Sequence, residues 1–435
     1  MLTRKMKDSG VEWIGEIPVN WEMKKVKSFL RERSEKNHAN EEVLSLYRDY
    51  GVIPKNSRND NHNVTSQDTS SYKFVKKDNV VINKMKAWQG SLAVSRYQGI
   101  ISPAYYIYEI KNAEEIVPEF LHYALRNPLY TQEYKRLSAG LRVGQWDLNK
   151  SQFNSLLYPI PSVKVQIKIV DYLNEKLNLI DELVEDTKQS IEELKKYKQA
   201  LITETVTKGL DKNVEMKNSG LDGSLILPKH WKINKVRNVF RMNKGLTITK
   251  ENLQSEGISV ISYGEIHSKY GFRFDPDKHD VKKVAESYID SNELALLQQG
   301  DFIFADTSED IEGSGNFTCY VGSQTCFAGY HTIVLKPIQK VNFNFLAYLF
   351  ESKVFRAQIQ KKVQGIKVYS ITQRILKPLT VWFPPEGEQQ KIVKFLDKKV
   401  ERIDTLVSEK KQVIQELEAY KKSLIYEYVT GKKEV

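Results

Sequence analysis

Residues 166 to 209 place apolar or seam residues at Leu173, Leu177, Ile180, Val184, Thr187, Ile191, Leu194, Lys198 and Leu201, an alternation of four- and three-residue steps. No proline or glycine interrupts the stretch before Gly209. The spacing is the heptad seam of a coiled coil, so one long helix is predicted. The seam recurs 223 residues later as Leu396, Val400, Ile403, Val407, Lys410, Ile414, Leu417, Lys421 and Leu424, with Lys198 and Lys421 at the same seam position. A stripe two residues wide per heptad cannot bury itself, so each helix needs a partner, and the other copy is the nearest. At about 1.5 Å per residue, such a helix would reach roughly 65 Å. It reads as a strut. Gly209 and Gly431 follow the last periodic residues, where a left-handed residue would end each helix.

The duplication extends beyond the helices. Met6, Lys7, Ser9, Gly10, Pro18, Trp21, Lys25 and Val26 recur as Met216, Lys217, Ser219, Gly220, Pro228, Trp231, Lys235 and Val236. Phe120, Leu121, Tyr123, Gly140 and Val143 recur as Phe345, Leu346, Tyr348, Gly365 and Val368. The predicted division is 1–158 and 211–380 as globular parts, with helices in 159–210 and 381–435. Both globular parts read as mixed α/β. In the first, strands are expected at Asn79 to Asn83 and Ala104 to Ile110, then a helix from Pro118 to Leu137. In the second, strands are expected at Ser259 to Ser262, Asp301 to Ala305 and Thr332 to Leu335, then a helix near Asn344 to Lys361. Between the matched ends, roughly 40–115 and 245–335, no alignment is convincing. One frame carries two different centres.

Composition narrows the partners. The formal charge is +11 over 435 residues, and an excess of lysine and arginine on a folded chain points to an anionic partner, nucleic acid before membrane. The N-terminal residues are polar and no run of about 18 apolar residues is found, so a cytoplasmic protein is expected. Cys319 and Cys326 lack a second pair or a suitably spaced histidine and read as buried structural residues, and no metal site is indicated.

No catalytic constellation stands out. Asn127-Pro128-Leu129-Tyr130 only superficially resembles an amino-methyltransferase loop, and Gly313-Ser314-Gly315 is a lone glycine pair in a polar loop. Asp277, Asp280 and Lys282 lie too close together for a nuclease's adjacent strands. DNA-reading side chains are present instead. Arg48 and the loop from Lys55 to Asn63, with Asn56, Arg58 and Asn59, concentrate groups able to make paired hydrogen bonds to guanine and adenine edges. Lys84 and Lys86, placed on one face of an apparent strand beside Trp88, suit phosphates, with Trp88 itself read as core. A basic turn precedes each strut, with Arg142 in one copy and Lys367, followed by Tyr369, in the other, and these are candidate DNA contacts. The acidic run Asp306 to Asp310 suits cytosine amino groups or a structural turn.

These features together resemble the specificity subunit of type I restriction-modification systems, over essentially the whole chain. The residues carrying the likeness are the paired Met6 and Met216 motifs, residues 83–108, residues 300–308, and Pro384, Pro385, Glu388 and Gln389 ahead of the second strut. The first strut departs from the last pattern in having Val165 where the second has Glu388, while keeping Gln166. The resemblance implies two α/β target-recognition domains joined by two long antiparallel coiled-coil helices, a tandem repeat with pseudo-two-fold symmetry. It implies double-stranded DNA as ligand, each domain reading half of a split site, and no catalysis in this chain. Two modification subunits would bring S-adenosylmethionine and methylate adenine, and restriction or translocase subunits would use ATP and Mg. No membrane partner is implied. A scaffold joining proteins through its coiled coil is the competing reading; a self-sufficient nuclease or methyltransferase is disfavoured by the missing motifs.

Overall fold

The computed structural model describes residues 5–58, 65–66, 68–140, 146–220, 225–365 and 368–435. The chain divides into two compact units, Met1–Lys188 with Lys411–Val435, and Gln189–Lys410. Each unit therefore holds one globular repeat, the start of the long helix that follows it, and the end of the other long helix.

Both predicted struts are single helices, Val163–Lys208 and Glu386–Val429. All eighteen seam positions are buried or half-buried, because a 3.5-residue period keeps one stripe against a partner. Within the first unit, Tyr172 packs on Tyr428 with ring centroids 4.6 Å apart, and Asp181 is ion-paired with Lys421. As one number rises the other falls, so the segments run antiparallel. Within the second unit, Lys198 Nζ lies 2.6 Å from Asp404. These are the same two positions of the repeat, so the seam lysines noted above each hold the opposing helix. Gly209 and Gly431 have φ of +76° and +72° and end the helices as left-handed residues.

Among the described residues, the repeated N-terminal motif pairs its strands alike in the two units. Hairpins Met6–Asp8 with Glu16–Pro18 and Met216–Asn218 with Ile226–Pro228 share one register, Met6 opposite Pro18 and Met216 opposite Pro228. Strand Glu22–Lys25 pairs with Leu157–Ile160, and Lys232–Lys235 with Thr380–Phe383, just ahead of each long helix. Trp21 and Trp231 are buried beneath these frames.

The centres differ. The first unit has a four-stranded antiparallel sheet in the order Leu30–Arg33, Tyr105–Ile110, Val80–Asn83 and Leu92–Val94. Alternation splits its strands between two cores. Val80, Ile82, Leu92 and Tyr108 face the main core with Phe120 and Leu121, whereas Val81, Ala93 and Ile107 face Leu44, Leu46 and Val52 of a hairpin on the opposite side. The second unit has a five-stranded sheet and a three-stranded sheet that includes a parallel pair, Ser259 opposite Cys326. Phe302, Phe304 and Leu335 face its main core, and Ile303, Ala305 and Val334 face a second one. Cys319 and Cys326 are free and buried in these two different cores, and burial pushes both thiols well above their ordinary range.

Two expected helices are broken in the structure. The 118–137 stretch forms Pro118–Leu125 and Pro128–Arg136, because Pro128 forces Asn127 into an extended conformation. Asn127, fully buried, caps the second piece by accepting from Leu129 N–H at 3.0 Å. That cap is the role of the Asn-Pro-Leu-Tyr sequence. The 344–361 stretch breaks likewise at Ser352, the cap of Lys353–Gln360.

Candidate nucleic-acid interface

Strands Leu44–Tyr47 and Gly51–Pro54 form a hairpin whose loop is Arg48, Asp49 and Tyr50, closed by Gly51 at φ +71°. A side chain at Gly51 would strain that backbone and crowd Ala93, at 3.3 Å. One face of the hairpin buries Leu44, Leu46 and Val52 against the sheet. Arg126, at the end of helix Pro118–Leu125, ties down the loop by donating to the carbonyls of Arg48, Asp49 and Leu92. Beyond the hairpin, Lys55–Ser57 make one 3₁₀ turn, and Arg58 returns with its guanidinium 4.3 Å from the Tyr50 ring centroid and 5.7 Å from that of Tyr47. Tyr50 and Arg48 remain exposed, Tyr50 by 60%. Two aromatic faces, two guanidinium groups, Lys55 and the exposed Asn56 are thus gathered on one rigidly seated hairpin, a set suited to base edges and phosphates.

Of the residues singled out from the sequence, Arg48, Lys55, Asn56 and Arg58 are brought together here. Asn59, Arg142 and Lys367 lie outside the described residues. Lys84 and Lys86 do not lie on a strand: Val80–Asn83 ends before them, and Asn83 Oδ1 accepts from Met85 N–H at 3.2 Å, turning the chain. Lys84 Nζ lies 3.1 Å from Asp147, and Lys86 is exposed. Trp88 is half-buried against Trp146, its Nε1 donating to the Met85 carbonyl.

In the second unit, Tyr369 lies on a short strand paired with Thr307 and Ser308, so it borders the acidic Asp306–Asp310 segment. The segment starts on that strand pair, where Ile371 N–H donates to the Asp306 carbonyl at 2.7 Å, and turns at its end, where Asp310 Oδ1 accepts from Gly313 N–H. Beside it is a cluster that sequence reasoning missed. His331, exposed at φ +56°, lies 3.1 Å from Asp306 Oδ1 and edge-on to Tyr263 at 5.2 Å. A left-handed backbone at a non-glycine residue marks a position held by its surroundings. His267 lies 2.7 Å from the Thr307 carbonyl and 2.8 Å from Asn316 Nδ2. A carbonyl only accepts, which assigns the proton to Nε2 and lets Nδ1 accept from Asn316. Arg356 completes the network by donating to Asn316 Oδ1 and the Glu312 carbonyl. These residues are far apart in sequence and share no spacing, so no motif could have announced them.

His122 lies under the first hairpin. Burial, with Arg126 and Arg96 beside it, pushes it down to about 3. Its unfolded value is about 6.5, so as pH falls below that value the unfolded chain takes up a proton that the folded chain refuses. The first unit should lose stability on acidification from pH 7 to 5, with a slope of up to about 1.4 kcal/mol per pH unit. His122→Gln should flatten that slope in denaturant titrations at a series of pH values; an unchanged slope would place the proton elsewhere.

Among the described residues no cluster able to hold a metal is found, and no helix is long and apolar enough to cross a membrane. Comparison with known proteins adds the family. The profile for the type I restriction modification DNA specificity domain matches residues 18–193 and again 228–418. The chain is 23% identical to the type I restriction enzyme MjaVIII specificity subunit of Methanocaldococcus jannaschii, over 84% of each chain. It is 21% identical to the putative MjaX specificity subunit of the same organism, over 96% of this chain and 95% of that one. Among solved structures, a chain from work on complex assembly and conformational transition of the type I R-M system superposes with a TM-score of 0.71 at 14% identity, covering 96% of this chain and 99% of that one. The HsdS subunit of Thermoanaerobacter tengcongensis gives 0.52 at 15% identity, covering 96% and 98%. With the specificity domain matched twice across most of its length, the chain belongs to the type I restriction-modification DNA specificity family.

Proposed function

We propose that this chain is the sequence-specific recognition subunit of a type I restriction-modification complex, its two α/β repeats each reading one half of a split DNA site. The observation that carries this is one frame holding two unlike centres: hairpins, strand pairs and helix ends match position by position, while the sheets between them differ in strand number and order. A subunit reading one pattern twice would need one centre; two centres suit two half-sites. The long helices would set the number of unread base pairs, since half-sites on one face of the duplex recur every helical turn, roughly 34 Å.

In this reading the subunit is non-catalytic, as its family membership implies. Two modification subunits with S-adenosylmethionine, and restriction subunits with ATP and Mg, would dock on the faces of the helices outside the seam. Arg48, Lys55, Asn56, Asn59 and Arg58 with the two tyrosines would form the first reader. Lys84, Lys86, Arg142 and Lys367 would hold phosphates, and Tyr369 would border the second reader.

The test compares Arg58→Ala with Arg142→Ala and Lys367→Ala in the assembled complex, measuring affinity for a panel of duplexes at several salt concentrations. Arg58→Ala is expected to cost about 1–3 kcal/mol on the preferred site and to relax one position. The other two should weaken all sequences alike and lower the salt slope by about 1. Salt-independent association with protein alone, and no DNA affinity, would favour the scaffold reading.

A further inference from the structure

The corner where each repeat meets its following long helix is built from equivalent positions in the two units, yet the copies differ in charge and in closure. In the first unit Gln166 Nε2 donates to the carbonyls of Glu115 and Pro161 at 2.8 and 2.9 Å, and its Oε1 accepts from Val117 N–H at 2.8 Å. Lys24 Nζ lies 2.9 Å from Glu115 and 3.6 Å from Glu22 across the same corner. The loop before helix Pro118–Leu125 is thereby sealed against the long helix.

In the second unit the matching glutamine is Gln389. Its Nε2 donates to the Pro384 carbonyl at 2.7 Å, but its Oε1, on a residue only 8% exposed, has no hydrogen-bond partner among the described residues. Glu115, Glu22 and Lys24 are matched here by Lys340, Lys232 and Asn234. Two carboxylates have become ammonium groups, and the lysine that bound them has become a neutral amide. A groove of about 700 Å³ lies at this corner, lined by these residues and by Phe343, Phe383 and Pro385.

We propose that this groove docks an extended acidic peptide segment of a protein partner. One backbone N–H of the segment donates to Gln389 Oε1, and its carboxylates pair with Lys232 and Lys340. The buried acceptor chooses between the anionic partners: a phosphate backbone offers acceptors only, whereas a peptide brings an N–H donor and carboxylates together. The apolar walls suit the side chains of an extended strand. Glu386 lies 3.8 Å from Lys340 at the rim, with both side chains exposed, so that pair does little to neutralise the groove. The first unit closes the equivalent corner with its own ion pair and hydrogen bonds and takes no such segment. None of this depends on the DNA-recognition reading, and the peptide titration is made without DNA.

The full chain is titrated with a fluorescent, end-blocked decapeptide alternating glutamate and leucine, followed by anisotropy. K232E/K340E restores the charges of the first unit at two exposed positions and should weaken binding at least tenfold. A backbone N-methylated version of the peptide should also bind at least tenfold more weakly, which charge attraction alone would not produce. No saturable binding, equal affinity in the double variant, or indifference to N-methylation would each overturn the proposal. A double variant that loses affinity for a 20-base-pair duplex, with the peptide never binding, would overturn it in favour of phosphate contact.

Discussion

Trp382→Ala is expected to lower the unfolding midpoint of the second unit by roughly 6–20 °C, from a loss of about 3–5 kcal/mol and a shift of about 2–4 °C per kcal/mol. The indole is fully buried in the core shared by the second frame, Ile202 and Val206 of the first long helix, and Leu396 and Val400 of the second. Its Nε1 donates to the Val206 carbonyl at 2.6 Å. Val206 lies in the last turn of helix Val163–Lys208, whose carbonyls have no partner further along the helix, so the indole satisfies one of them. Trp382→Phe separates the two contributions, keeping most of the apolar area while leaving that carbonyl unpaired, at about 1–3 kcal/mol. Calorimetry on the full chain is the measurement. A shift below about 2 °C for the alanine variant would mean that the helix end is held by something else, a much smaller loss than a buried tryptophan should give.

Exchange of residues 27–156 for the corresponding segment of another family member should replace one half of the recognised site entirely and leave the other half and the spacing unchanged. Those bounds fall just inside the paired strands Glu22–Lys25 and Leu157–Ile160. The graft therefore carries the hairpin with Arg48 and Arg58 and its supporting sheet. It leaves in place Trp21 and Pro18, which receive the end of the second long helix: a side chain on Gly431 would meet Pro18 at 2.5 Å and Trp21 at 3.3 Å. Cutting at residue 1 instead would exchange the seat of that helix end as well, and should cost stability unless residues 411–435 are exchanged too. Methylome sequencing of cells carrying the hybrid reads the outcome. A change in both half-sites, or in the spacer, would contradict separate reading by the two repeats.

Much of the architecture could be read directly. The seam from Leu173 to Leu201 and its copy from Leu396 to Leu424 announced two long helices, since a period of 3.5 residues has no other stable use in water. The repeated Met6 and Met216 motifs announced two frames, and Gly209 and Gly431 their helix ends. Regular elements and duplications are recorded in local order along the chain, and a heptad stripe states its own need for a partner.

Other features depend on which distant residues meet. Nothing in the spacing of Lys84 and Lys86 revealed that Asn83 would turn the chain beneath them, because a single side-chain hydrogen bond overrides strand propensity at the end of a strand. The exchange of helix ends between the units, the seating of Arg58 over Tyr50, and the network of His267, Asn316 and Arg356 join positions tens to hundreds of residues apart. So does the contrast between Gln166 and Gln389. Both stand at the same place in the repeat and look interchangeable in sequence, yet one amide is fully bonded and the other is not. Burial and hydrogen-bond satisfaction belong to a site's surroundings in space, and those surroundings exist only once the chain has folded.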